Sequence, residues 1–153
     1  MAVWEKSHRF DKPALEIAER HYSRKKRGKP GTPQFVAPSR NLVFLTPCRK
    51  ALWVSIFQRY VRHAWPGSFN CSMFRNEGAG LASSLIVQAV ALTVAKWGTP
   101  PSGLFITMID EDSVKPKGHP GYCFRMAGFE PVGRTKVFNR LVLGLTVEHV
   151  QLG

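Results

Sequence analysis

The stretch FRNEGAGLASS, residues 74–84, decides how the rest of the chain is read. Before it, SFNCSMF (68–74) has the texture of a strand. After it, residues 79–97 are almost entirely apolar and predict a long helix, with Leu81, Leu85, Gln88, Leu92 and Lys96 on one turn-spaced row. A helix that apolar packs against a sheet on one side and more protein on another. Glycines at 78 and 80 let a backbone approach an anion closely. The first amides of the following helix have no intrahelical partner and lie at the positive end of its macrodipole. Arg75 adds a fixed positive charge. A strand, a glycine loop and a helix in this order suit a pyrophosphate, although a glycine-rich turn before a helix is also ordinary turn chemistry. The dinucleotide fingerprint G-x-G-x-x-G is excluded, because Ser83 stands where its third glycine would have to be. No G-K-[ST] is present either.

Outward from this point, residues 98–102 (GTPPS) stop the helix and residues 103–109 (GLFITMI) read as a buried strand. On the other side, residues 41–46 and 51–58 read as strands joined by a turn at 47–50. Residues 13–23 predict a short helix with Pro13 in its first turn, followed by a loop or extended arm over 24–38. Toward the end, 119–129 predicts a short helix capped by Gly128, and 139–147 a last strand. The expectation is one α/β domain over residues 1–153, built on a mixed, mostly antiparallel sheet with a basic N-terminal arm at about 20–40.

Composition sets the class. The chain has 153 residues, 44% hydrophobic and 21% charged, which excludes a disordered tail or a collagen-like repeat. No run approaches the ~20 apolar residues of a membrane span, and the first eleven residues have no apolar core of a signal peptide. A cytoplasmic protein without membrane contact is expected. Three widely spaced cysteines, Cys48, Cys71 and Cys123, argue against a disulfide framework and read as buried thiols. Charge is uneven: between Arg20 and Asn76 there is no Asp or Glu, yet the stretch holds twelve of the 22 Lys and Arg residues. The net charge of +12 therefore lies in this half. Such a half binds polyanions by counterion release, with DNA the expected partner through Arg24, Lys25, Lys26, Arg27, Lys29 and Arg40.

Arg75-Asn76-Glu77-Gly78-Ala79-Gly80, written R-x-x-G-x-G, resembles the acyl-CoA pyrophosphate loop of the GNAT superfamily of N-acetyltransferases. Residues 122–130, an aromatic-rich segment ending in G-F-E, resemble the late segment of the same family. The resemblance covers roughly residues 40–147 and implies a GNAT-like sheet with a long helix on the cofactor side. It implies acetyl-CoA or another acyl-CoA as cofactor, gripped by Arg75, Gly78, Ala79, Gly80, Leu81, Ala82 and Ser83. Amides near Ser72, Met73 and Phe74 would hold the thioester oxygen, and Tyr122 is the positional candidate for the acid beside the leaving thiolate.

The N-terminal part departs from ordinary members, with one helix before a basic arm. His21-Tyr22-Ser23 at their junction, the H-x-G-x-x-F run at 119–124 and the acidic cluster Asp110-Glu111-Asp112 resemble the phage Mom-type branch, which modifies an adenine amine in DNA. That resemblance implies a phage protein acting in the host cytoplasm, His21 and Tyr22 as a proton-transfer pair, and Asp110 or Asp112 as base. It also raises iron, with His21 and Asp110 or Asp112 as ligands, although no spacing here makes a metal site. An everted base would need an aromatic slot, for which Trp53, Trp65 and Phe74 are candidates. Two other readings stay open: an N-acetyltransferase for a protein or small amine, and a non-catalytic DNA-binding module.

Overall fold

The computed structural model describes residues 3–20, 39–58, 64–111, 121–136 and 138–147. Its centre is a pair of strands buried on both faces. β2 (Arg40–Leu45) and β3 (Ala51–Phe57) are apolar at consecutive positions because successive side chains enter two different clusters. Leu42, Phe44, Ala51 and Trp53 face one side; Val43, Leu45, Leu52, Val54 and Ile56 face the other. The second side is covered by α1 (Lys12–Glu19) through Ala14, Ile17 and Ala18. The first is covered by α2 (Ala82–Trp97) through Leu85, Ile86, Ala89, Val90 and Val94, and by Phe124 of α3 (Tyr122–Met126). Helix, sheet and helix thus form three layers.

With β1 (Glu5–Ser7), β4 (Phe69–Asn76), β5 (Leu104–Ile109), β6 (Glu130–Arg134) and β7 (Leu141–Thr146), the strands make one seven-stranded mixed sheet in the order β1-β2-β3-β4-β5-β7-β6. Every neighbouring pair is antiparallel except β4 and β5, whose parallel pairing follows from the α2 crossover between them. The mixed, mostly antiparallel α/β architecture is as the sequence predicts. α2 starts three residues later than its apolar run, since residues 77–80 belong to the loop.

Two irregularities shape the middle of the sheet. The parallel ladder runs only from Phe69↔Phe105 to Cys71↔Thr107, whereas β4 continues to Asn76 and β5 stays paired with β7 as far as Ile109. Above Cys71 and Thr107 the two strands therefore fork. The Thr107 hydroxyl sits in the fork and donates to the Cys71 carbonyl at 3.1 Å. Second, Val54 pairs with Met73 but Ser55 with Cys71, so Ser72 is an extra residue, a β-bulge. Its effect is visible in the side chains. Phe69 and Cys71 face the α2 side, Met73 faces the α1 side, and Phe74 is back against the α2-side cluster.

The aromatic core lies beneath this fork. Trp53 is fully buried, with Phe74, Phe105 and Phe124 ring centroids 5.6, 6.0 and 6.2 Å away. Its indole N–H donates to the Ser55 hydroxyl at 2.7 Å, which bonds the Thr93 hydroxyl at 2.8 Å, which donates to the Ala89 carbonyl at 2.8 Å. Every polar atom of that chain is satisfied, as burial demands. Trp53 is core and presents no face to a base, contrary to the slot reading. The cysteine expectation also needs correcting: Cys71 is buried and Cys123 half-buried, but Cys48 is exposed because it lies in the β2–β3 turn. No helix among the described residues is long and apolar enough to cross a membrane.

Candidate functional site

The glycine loop begins where β4 ends. The Asn76 side-chain oxygen accepts from the amides of Gly78 (3.1 Å) and Ala79 (2.9 Å), while its amide donates to the Gly80 carbonyl at 2.7 Å. One side chain thus closes the loop, an Asx-type arrangement. Gly78 (φ +107°) and Gly80 (φ +153°) adopt backbone angles that favour glycine, and a Cβ on either would meet nothing within 4 Å. The chain turns tightly here, and open space remains beside it. α2 then starts at Ala82; its N-cap residue, Leu81, makes no side-chain cap, and its first turn carries no acid. With two loop amides taken by Asn76, the donors left for an anion are those from Leu81 through Ser84, ahead of the first helical bond from Leu85 N–H to the Leu81 carbonyl.

Charge around the loop is organised by Glu77, the one acid between Glu19 and Asp110. Its carboxylate accepts from Arg20 Nε (2.7 Å) and Nη2 (2.8 Å) and from Arg75 Nε (2.6 Å). Its backbone N–H donates to the Lys50 carbonyl at 2.6 Å. The Arg20 hydrogen bonds, then those of Arg75, pull the Glu77 carboxyl down to about 2. Arg75, expected as a fixed positive charge for a phosphate, is half of an arginine pair sharing one carboxylate, which leaves one net positive charge. The pair also ties the C-terminal end of α1, from which the basic arm departs, to the loop.

Across the fork, β5 leads into Asp110 and Glu111. Asp110 lies 3.9 Å from the Arg140 guanidinium, and Glu111 is held by both terminal nitrogens of Arg134 at 2.6 and 3.2 Å. The Arg134 hydrogen bonds lower the Glu111 pKa. Both described acids of the cluster therefore lean on the β6–β7 hairpin. Tyr122, the first residue of α3, is 57% exposed, so it is no core aromatic. It follows Gly121, which lies against Leu143 and Ile109 at the same end of the sheet. Arg40 lies elsewhere: it pairs with Phe57 at the opposite sheet end, and its guanidinium stacks 4.9 Å from the Trp97 ring centroid.

His21, Tyr22, Arg24, Lys25, Lys26, Arg27, Lys29 and Asp112 lie outside the described residues. Among those described, no three His, Cys, Asp or Glu side chains form a group that could hold a metal. Phe74 is engaged edge-on with Trp4, Trp53 and Phe124, and Trp65 lies against Gly133. Sequence reasoning missed three residues that build the site. Asn76 was available from its place just before the glycines, a common Asx-turn position. Glu77 stands out as a lone acid, but its Arg20 partner is 57 residues away. Thr107 carries no local signal. No family model matches the chain, and no curated protein matches it in sequence.

Proposed function

We propose that the protein is an acyl-CoA-dependent N-acyltransferase-like enzyme of the GNAT type that modifies a base amine in DNA, as in the phage Mom-type branch. The observation that carries this reading is the juxtaposition of a forked parallel pair with a glycine loop. β4 and β5 part above Cys71 and Thr107, and the same β4 runs into the loop that opens α2. A bulge at Ser72 falls at the fork, where a strand edge left unpaired on the β5 side offers backbone donors. The residues present fit a phosphate-bearing donor. The open space at Gly78 and Gly80 admits a ligand against the backbone, and the uncapped first turn of α2 supplies amides to its phosphates.

An acyl-CoA bound there supplies an activated acyl group. The chain's own part is to orient it, hold its oxygen near Ser72–Phe74 and manage one proton on each side. Asn76 keeps the loop in shape. Exposed Tyr122 is the candidate proton donor, and Asp110, or Asp112 beyond the described residues, the candidate base. DNA as acceptor is supported by the net charge of +12 and by the acid-free stretch beside the loop.

The test is release of free CoA thiol from acetyl-CoA by purified protein, with and without DNA. DNA-dependent release that is lost in Gly78→Asp is expected. Release that ignores DNA but needs an added small amine or peptide would replace DNA by that acceptor. Release unaffected by Gly78→Asp would remove the loop from the reaction.

A further inference from the structure

The tip of the β6–β7 hairpin carries an aromatic ring that stands outside both apolar clusters of the described residues. Phe138 is 81% exposed. Its backbone is left-handed (φ 67°), as is that of Asn139 (φ 48°). Bulky L side chains rarely adopt this conformation, so the surroundings must hold it. They do. Thr135 N–H donates to the Arg140 carbonyl at 2.9 Å, Arg140 N–H to the Thr135 hydroxyl at 2.9 Å, and the Arg134 guanidinium to the Asn139 carbonyl at 3.1 Å. The Arg140 guanidinium lies 5.4 Å from the Phe138 ring centroid. The costly backbone that carries this exposed ring is thus braced by hydrogen bonds on both sides.

The tip stands at the lip of the fork. Leu141, at the base of the tip, pairs with Ile109 at the end of β5, across the opening from the glycine loop. Asp110 and Glu111 are ion-paired with Arg140 and Arg134, so exposed Lys136 leaves the tip with one net positive charge. An exposed aromatic face beside Lys136 and Arg140 has the chemistry to stack a nucleobase while the cations meet neighbouring phosphates.

We propose that Phe138 is a stacking platform for an unpaired base of DNA, with Lys136 and Arg140 meeting the phosphates beside it. The proposal deepens the reading given above and rests on DNA being the partner. It also supplies the aromatic surface that Trp53, buried in the core, does not.

The experiment follows single-stranded DNA carrying one 2-aminopurine, by anisotropy for affinity and by quenching of the 2-aminopurine for stacking. Wild type is compared with Phe138→Gly and Phe138→Trp. The wild type is expected to bind and quench, and Phe138→Gly to bind roughly ten-fold more weakly and lose the quench. Phe138→Trp should restore both. Because glycine accepts the left-handed backbone, Phe138→Gly should melt no lower than wild type, which separates lost stacking from lost folding. If the wild type binds and Phe138→Gly matches it in affinity and quenching, the platform is wrong while DNA binding stands. If the wild type binds no DNA at all, the DNA reading fails and the platform falls with it.

Discussion

Removing the charge of Glu77 isolates the contact between the root of the basic arm and the glycine loop. Glu77→Gln keeps the shape and one acceptor oxygen but leaves Arg20 and Arg75 facing each other across a neutral group. In the folded protein the carboxyl titrates at about 2 instead of its ordinary 4.5. Converted at about 1.4 kcal/mol per unit, that drop sets a ceiling of about 3.5 kcal/mol. Arg20 is 49% exposed and Arg75 35%, so solvent screens much of it. Exposed pairs contribute about 0.2–1 kcal/mol each, which brings the expected loss for the two pairs to about 0.4–2 kcal/mol. In a chain of this size that lowers the melting temperature by about 1–8 °C. Since the folded value lies below the unfolded one, the stabilisation is complete above about 4.5 and is lost as pH falls toward about 2. Urea unfolding of both proteins across this range is the assay. The gap between them should be constant near neutrality, narrow below 4.5 and close near 2. No gap at neutral pH, or one unchanged near pH 2, would refute the argument.

Other perturbations test the core and the thiols. Ser55→Ala strips the buried Trp53 N–H of its acceptor and should cost about 1–3 kcal/mol in urea unfolding; a variant as stable as wild type would mean the relay carries no energy. Gly121→Ala puts a Cβ 2.5 Å from a methyl of fully buried Leu143 at a φ of +71°, so a loss of about 2–4 kcal/mol is expected by the same assay. An unchanged midpoint would show that α3 can shift without penalty. Native thiol labelling with an aromatic disulfide should modify Cys48 first, because it is exposed and hydrogen bonding to Thr46 lowers its pKa. Burial raises Cys71 and Cys123, which should react slowly until the protein unfolds, and prompt labelling of Cys71 would contradict its place in the core.

The strands buried on both faces announce themselves in sequence. NLVFL and ALWVSIF are apolar at consecutive positions, and the run after the glycines is too apolar for a surface helix. The edges do not. β1 is three polar residues, and β6 is EPVGR, exposed at every position and carrying Pro and Gly, as strands that must resist further pairing often do. The bulge at Ser72 is a count across two strands, invisible along one. The glycine loop was legible because its glycines and the flanking strand and helix are contiguous. Its electrostatics were not, since Arg20 reaches Glu77 only in the fold. Trp53 illustrates the opposite failure: a tryptophan in a strand buried on both faces carries no local mark that separates core from slot. The last strand, expected over 139–147, starts instead at Leu141, and the left-handed backbone of Phe138 and Asn139 before it carries no local signal.

The most direct test of the proposed function is nucleoside mass spectrometry on digested DNA from cells expressing the wild type or Gly78→Asp. A mass-shifted nucleoside is expected with the wild type and not with the variant, its added mass identifying the transferred group. Unmodified DNA in cells holding soluble, folded wild-type protein would contradict it.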